Sequence, residues 1–350
     1  MKWKHLFWVA TMAMTSVLAK DYSGAELFSS ETFMYGKFEA RMRMAAASGL
    51  VSSMFLYYND SYKGDPEPWV EIDIEVLGKS PASFQSNIIS GSANAKKTSE
   101  KHHSISPAAN ETYHTYAMEW TPNYISWSID GNEVRRTVRD SNDTKKQVEA
   151  MVKPQDLRFN LWSSEVTSWV GAFDDAVLPM YQYINWGKVY EYTPGAGENG
   201  SDFTLKWTDD FDTFDTDRWN TGNWTFDENR VDMHPDNVIV KDGTLILAIT
   251  RAGEEGFDNS PIPQDDAYSA ISSGISKTPW RPQLFQETLF LPKALSGCCS
   301  WKIYSSSGEV LMQGVQEKSG EISIRNLPAG HYILKVQGNS QSHSYPFRKL

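Results

Sequence analysis

Within the run W-V-E-I-D-I-E-V-L-G-K, residues Glu71-Ile72-Asp73-Ile74-Glu75 alternate an acid with a β-branched side chain. Read as a strand, the segment sends Val70, Ile72, Ile74 and Val76 to one face and Glu71, Asp73 and Glu75 to the other. Same-face neighbours on a strand stand only ~7 Å apart, and no Lys or Arg within the strand relieves their repulsion. A solvated acidic face would explain the charge but not so regular an apolar half, with Trp69 beside it. Glycosidic bond cleavage does need such a set: one carboxylate to attack and one carboxylic acid to protonate the leaving oxygen. Like-charge crowding is expected to raise the pKa of one member, which stays protonated while its partner ionises.

Carboxylates so placed need neighbouring strands to hold a substrate over them. The same alternation groups Phe55, Tyr57 and Asn59 on one face, with Met54, Leu56 and Tyr58 on the other. It groups Gln85 with Asn87 opposite Phe84, Ser86 and Ile88, and Arg158, Asn160 and Trp162 opposite Leu157, Phe159 and Leu161. If these strands join the acidic one in a curved sheet, their polar and aromatic faces form one concave groove. Amides and a guanidinium would hydrogen-bond hydroxyls there, and rings would stack on pyranose faces.

Short alternating segments recur along the chain, among them 35–44, 52–58, 83–89, 113–120, 125–131, 157–162 and 183–192, with Gly, Pro, Asn and Asp between them. No long stretch keeps helical periodicity, which predicts an all-β sandwich. A Gly- and Asn-rich loop at 193–202 interrupts the series, and strand signals resume at 203–207, 237–241 and 244–250. The pattern fades over 253–283, read as a linker, and a small β unit follows at 284–350.

The 350 residues carry a net charge of −11, which argues against nucleic acid and anionic membrane surfaces and fits a neutral substrate. Thirteen Trp, 16 Tyr and 16 Phe are a heavy aromatic load, much of it core, but with an exposed subset expected to stack on sugars. Lys2, Lys4 and His5 precede an apolar stretch, Leu6 to Leu18, too short to span a bilayer. With Val17-Leu18-Ala19 as a cleavage site, residues 1–19 read as a secretory signal rather than a buried helix. No other segment reaches transmembrane length. The only cysteines, Cys298 and Cys299, are adjacent, so no usable disulfide is expected and the main domain must rely on its core.

The E-I-D-I-E strand, R-F-N-L-W and H-T-Y-A-M-E-W-T-P-N-Y-I-S-W-S-I-D-G together resemble a family-sixteen glycoside hydrolase of the lichenase type. Laminarinase-like members carry one extra residue before the last Glu, and this chain has none. The resemblance spans about residues 20–252, including G-A-E-L and Y-G-K-F-E-A-R-M. Its order is unusual: the segment from F-T-L-K-W-T-D-D-F through D-G-T-L-I-L-A-I-T, which opens most members, lies here at 203–250. That implies a circular permutation with 193–202 as the join.

The resemblance implies a β-jelly-roll of two curved antiparallel sheets, with the small C-terminal β-sandwich beyond it. It implies Glu71 as nucleophile, Glu75 as general acid/base and Asp73 orienting Glu71. Cleft positions would be Glu26, Phe55, Tyr57, Asn59, Trp69, Gln85, Asn87, Arg158, Asn160, Trp162, Trp169, Trp207 and Trp224. No cofactor is needed for the chemistry. A structural Ca²⁺ would be held by backbone oxygens around Asn185, Asp210 and Gly243, although the sequence there reads more readily as solvent loops. The implied activity is retaining endo-hydrolysis of 1,4-β bonds in mixed-linkage 1,3-1,4-β-D-glucan by a monomer. A laminarinase, a xyloglucan-active relative and a sugar-binding lectin are the alternatives, and the lectin would not need three crowded acids. The tail, with I-Y-S-S-S-G-E-V, N-L-P-A-G-H-Y-I-L-K-V and F-R-K-L, resembles a type-nine sorting domain, which implies secretion machinery as partner and a secreted or cell-surface location. A carbohydrate-binding module is its rival.

Overall fold

The computed structural model describes residues 19–265, 284–285, 288–290, 299–305, 310–316, 321–337 and 342–349. Nearly all of the stretch read as a signal, much of the stretch read as a linker, and Cys298 lie outside the described residues. The chain divides into two compact units, Met1–Ser260 and Pro261–Leu350.

In the first unit one sheet contains β1 (Tyr22–Phe33), β3 (Leu50–Tyr57), β4 (Trp69–Leu77), β5 (Ser83–Ser92), β6 (Ala95–Thr98), β7 (Lys101–Ser104), β11 (Gln155–Ser163) and β14 (Trp219–Thr221). The facing sheet contains β2 (Gly36–Arg43), β8 (His114–Trp120), β9 (Tyr124–Ile129), β10 (Asn132–Val138), β12 (Met180–Tyr192), β13 (Phe203–Asp209), β16 (Val238–Lys241) and β17 (Thr244–Arg251). The short β15 (Asp232–Met233) pairs with the start of β1. β4 lies between β3 and β5, β11 follows β3, and β1 follows β11, all antiparallel.

Alternation holds as read. Val70, Ile72, Ile74 and Val76 are fully buried between the sheets, with Leu157, Phe159 and Leu161 from β11. Burial of each such side chain contributes about 1.5–3 kcal/mol relative to exposure. The facing sheet also grips β4 by hydrogen bonding. The buried Trp127 of β9 donates its indole N–H to the Asp73 carbonyl at 2.9 Å. The Arg135 guanidinium stacks on that indole at 4.3 Å and donates to the Ser86 carbonyl at 2.8 Å.

Residues 203–251 are woven into this unit. β13 pairs with β12, β14 with β1, and β17 with β12 and β1. The β1 start and the β17 end are neighbours, with Tyr22 opposite Arg251 and Ser23 opposite Thr250. Residues 253–260, read as the start of a linker, belong to the first unit. Glu255 accepts from Ser23, the Phe257 ring packs on Tyr181 at 4.9 Å, and Lys241 donates to Asn259, because side chains near 255–259 find partners on the sandwich edge.

The second unit has a five-stranded sheet ordered β18 (Leu284–Phe285), β24 (Ser342–Lys349), β23 (Gly330–Gln337), β20 (Cys299–Ser305), β21 (Val310–Gln316). A two-stranded sheet joins β19 (Thr288–Phe290) to β22 (Glu321–Ser323). Leu289, Ile303, Ile322, Ile324, Leu334, Val336 and Phe347 form its core.

Asn237 clasps the ends of the first unit. Fully buried, it donates to the Ser23 carbonyl at 2.9 Å and the Thr250 hydroxyl at 3.2 Å, and it accepts from the Gly256 N–H at 2.8 Å. Asn237→Ala strands these buried groups, so destabilisation of about 2–3 kcal/mol is expected. Urea unfolding followed by tryptophan fluorescence checks it, through a lower midpoint at an unchanged slope; an unmoved midpoint refutes the clasp.

Candidate active site

Register builds the site around β4. Tyr57, Phe55 and Ser53 of β3 stand opposite Glu71, Asp73 and Glu75. On the other side, β5 sets Asn87 beside Asp73 and Gln85 beside Glu75. β11 adds Arg158 beside Phe55 and Asn160 beside Ser53, and β1 then adds Glu26 and Phe28. Directly paired antiparallel residues share a face, so these side chains form one continuous polar and aromatic surface.

The acids sit in unequal surroundings. The Trp69 indole N–H donates to Glu71 Oε2 at 2.6 Å. Burial pushes the Glu71 carboxyl up, but Trp69, the Lys96 and Arg158 charges and a hydrogen bond with Asp73 all pull it back. Asp73 is held well above the usual carboxylate range by burial, then by the Glu71 and Glu75 charges. Its protonated form is therefore favoured beside Glu71. For Glu75 every influence points one way: burial, Glu71 and then Glu100 push it up to about 8. Crowding alone was expected to raise one member; instead burial is the larger cause and all three rise, because β4 is flanked on both sides by β3 and β5.

One end of the cleft is organised by Arg158. It donates to Glu26 at 2.7 Å, Asn59 at 2.9 Å and Asp156 at 2.6 Å, beneath the rings of Tyr57, Phe28 and Trp224. Burial raises the Glu26 carboxyl, and Arg158 and Asn160 oppose it. At the other end Trp169 donates to Gln85 at 3.2 Å and packs on Trp162 at 5.8 Å, which meets Phe226 at 5.1 Å.

The structure thus gathers Glu26, Phe55, Tyr57, Asn59, Trp69, Gln85, Asn87, Arg158, Asn160, Trp162, Trp169 and Trp224 around the acids. Trp207 is a correction. It lies on β13 of the facing sheet, with its ring 5.8 Å from Trp219, which packs on Phe159 in the core. That puts it behind the cleft sheet, where an indole fills the sandwich edge. The sequence reading missed Ser53, Asp156, Phe28, Phe226 and Lys96. Extending the alternation by two residues from Phe55, Arg158 and Glu26 would have found the first three.

Asn185, Asp210 and Gly243 come to one corner. Asn185 sits where the β12 register slips against β2, Asp210 follows the Asp209–Gly187 pair, and Gly243 precedes the Ile184–Leu245 pair. A Cβ on Gly243, at φ +72°, would stand 3.8 Å from Asp212 Oδ1. Among the described residues no group of three or more His, Cys, Asp or Glu could hold a metal. A cation here would rely on backbone oxygens.

The asymmetry of the acids has two pH signatures. If Glu71 acts ionised and Glu75 protonated, as the resemblance implies, kcat/KM should fall as pH rises through about 8. Because the folded Glu75 carboxyl holds its proton from the usual value of 4.5 up to about 8, it makes folding less stable as pH climbs through that window. Glu75→Gln should therefore melt above the wild type at pH 8, with the gap closing towards pH 4. Thermal melts at both pH values check this, and an equal gap at both would refute it.

Residues 4–188 match the model for glycosyl hydrolases family 16. The chain is 62% identical over 257 residues to a beta-glucanase of Fibrobacter succinogenes, covering 73% of this chain and 72% of that one. It is 34% identical over 185 residues to a beta-glucanase of Brevibacillus brevis, covering 53% of this chain and 65% of that one. A solved Bacillus licheniformis beta-glucanase matches at 31% identity and a TM-score of 0.41, over 49% of this chain and 77% of that one. By the match of residues 4–188 to the family model and the 62% identity to the Fibrobacter succinogenes beta-glucanase, the chain belongs to glycosyl hydrolase family 16.

Proposed function

We propose that the protein is a retaining endo-glucanase that cleaves 1,4-β-glucosidic bonds in mixed-linkage 1,3-1,4-β-D-glucan. The observation that carries this is the unequal support of two carboxylates on one strand face: Glu71 has a donor and cations, and Glu75 has only influences that keep it protonated. Glu71 attacks the anomeric carbon while the glycosidic C–O bond breaks and the Glu75 proton passes to the departing oxygen. Glu75, now a carboxylate, takes a proton from water, whose oxygen displaces Glu71 and releases the sugar with its original configuration. Asp73 lends its proton to hold Glu71 in line between the two steps. A groove lined by rings and amides fits a neutral sugar chain. The names of the beta-glucanase relatives support the substrate class.

The circular permutation is part of this reading. Its support is that the family match stops at residue 188 although 203–251 completes the same sandwich, and that the β1 start adjoins the β17 end. The corner at Asn185, Asp210 and Gly243 suits a hard cation through backbone oxygens, so a Ca²⁺ there would brace the β12, β13 and β17 junction without entering the chemistry. Residues 1–19 and 284–350 are read as export signals that carry a monomer to the cell surface or beyond. Among the described residues of the tail, Trp301 packs against the core rather than joining an aromatic row.

Glu71→Ala and Glu75→Ala should both fold and lose about 1,000-fold or more in turnover on barley β-glucan. Azide should rescue both, but only Glu71→Ala should yield a glycosyl azide of inverted configuration. Near-normal turnover in either variant, or laminarin or xyloglucan as the preferred substrate, would defeat the assignment. A chain ending at Ser260 should keep its turnover on soluble β-glucan, melt lower in EDTA than in Ca²⁺, and stay inside its host. Lost binding to insoluble glucan with normal export would favour a binding module, and an EDTA-indifferent melt would remove the cation.

A further inference from the structure

Lys96 lies in a cross-strand row that ends at Trp69, whose indole holds Glu71. β4 pairs Trp69 with Gly91, and β5 pairs Gly91 with Lys96. The middle position carries no side chain, so the outer two meet above it. Gly91 is required there: its φ is +104°, and a Cβ would come within 2.3 Å of the Ala95 carbonyl oxygen. The Lys96 ammonium stands 3.3 Å from the centroid of the Trp69 ring. The same indole gives its N–H to Glu71, and Tyr57 meets it edge-on at 5.7 Å. A cation over an indole face is attracted by the ring's negative quadrupole, and it polarises the ring so that the N–H becomes a better donor.

We propose that Lys96 is a positioning residue for Glu71: its ammonium pins the Trp69 indole so that the N–H stays on the carboxylate. The proposal rests on the reading of Glu71 as nucleophile. The charge acts in the same direction, since Glu71, Asp73 and Glu228 are the anions that Lys96 faces. Around Glu71 the other titratable and charged groups are Asp73 and Glu75 on its own strand, Tyr57 on β3 and Arg158 on β11. Of the two cations, Arg158 is already engaged by Glu26 and Asp156. Lys96 is the cation stacked on the ring that holds the nucleophile.

The test compares pH profiles of kcat/KM on barley β-glucan for the wild type, Lys96→Met and Lys96→Arg. Lys96→Met keeps the aliphatic stem and removes the charge. Its acidic limb should move up by about half a pH unit, the size expected for one partly exposed charge. The basic limb, which belongs to Glu75, should stay in place. Lys96→Arg should restore the wild-type profile, and all three proteins should fold, with Lys96→Met melting only slightly lower because the charge is partly exposed. An unmoved acidic limb overturns the proposal. So does a lower KM with an unmoved limb, which would mean that Lys96 only covers a ring face that sugar would take. Carbon-13 carboxyl NMR, with Glu71 assigned by its loss in Glu71→Gln, reads the same shift without substrate. If the wild type turned over no β-glucan, the functional reading would fail while this titration still decided the role of Lys96.

Discussion

The constraint on which this structure depends is the crowding of three carboxylates on one strand face, the middle one buried and the outer two half-buried. Each resists leaving water, and each resists its neighbours. What holds them is the back of the same strand, where Val70, Ile72, Ile74 and Val76 are fully buried. A one-residue slip of β4 would exchange the two faces and place acid in the core. The register is therefore defended by the core, and the site inherits its geometry from packing. The Trp127 bond to the Asp73 carbonyl adds a fixed point at the middle acid.

From that fixed point the two ends of the strand face diverge in character. Towards Trp69 the surroundings supply donors and cations, and towards Gln85 they supply neither to the carboxyl of Glu75. Gln85 is itself engaged, by Trp169 at 3.2 Å and by His102 at 3.3 Å. The same buried strand thus offers one group suited to negative charge and one suited to holding a proton. Two roles arise from one residue type because the neighbours differ.

Much of this was legible in the chain because strand alternation is a local rule. Ile72 and Glu71 declare their faces by position, as do Phe159 and Arg158. What was not legible depended on partners far away in sequence. Trp207 has the composition of a cleft residue, but which sheet its strand joins is decided by β12, and that sends its ring to Trp219. β1 was hidden by its serines and glutamates, although Ala25 and Leu27 face the core and Glu26 and Phe28 the cleft. Lys96 looked like one lysine in a polar hairpin. Its place depends on two successive pairings across Gly91, and no local pattern reports those. The pKa order was half legible: crowding could be read, whereas depth in the sheet could not.

The Asn237 clasp has a mechanical consequence. Tyr22 and Arg251 face each other at one end of an antiparallel ladder, so tension applied through residues 22 and 251 would open that ladder like a zip. Hydrogen bonds would break one at a time, at low force, instead of sharing the load as they do in shear. The bonds from Asn237 to Ser23, Gly24 and Thr250 lie just inside that opening point. They join both strands to a third element and so work as a stitch that must tear before the seam can run.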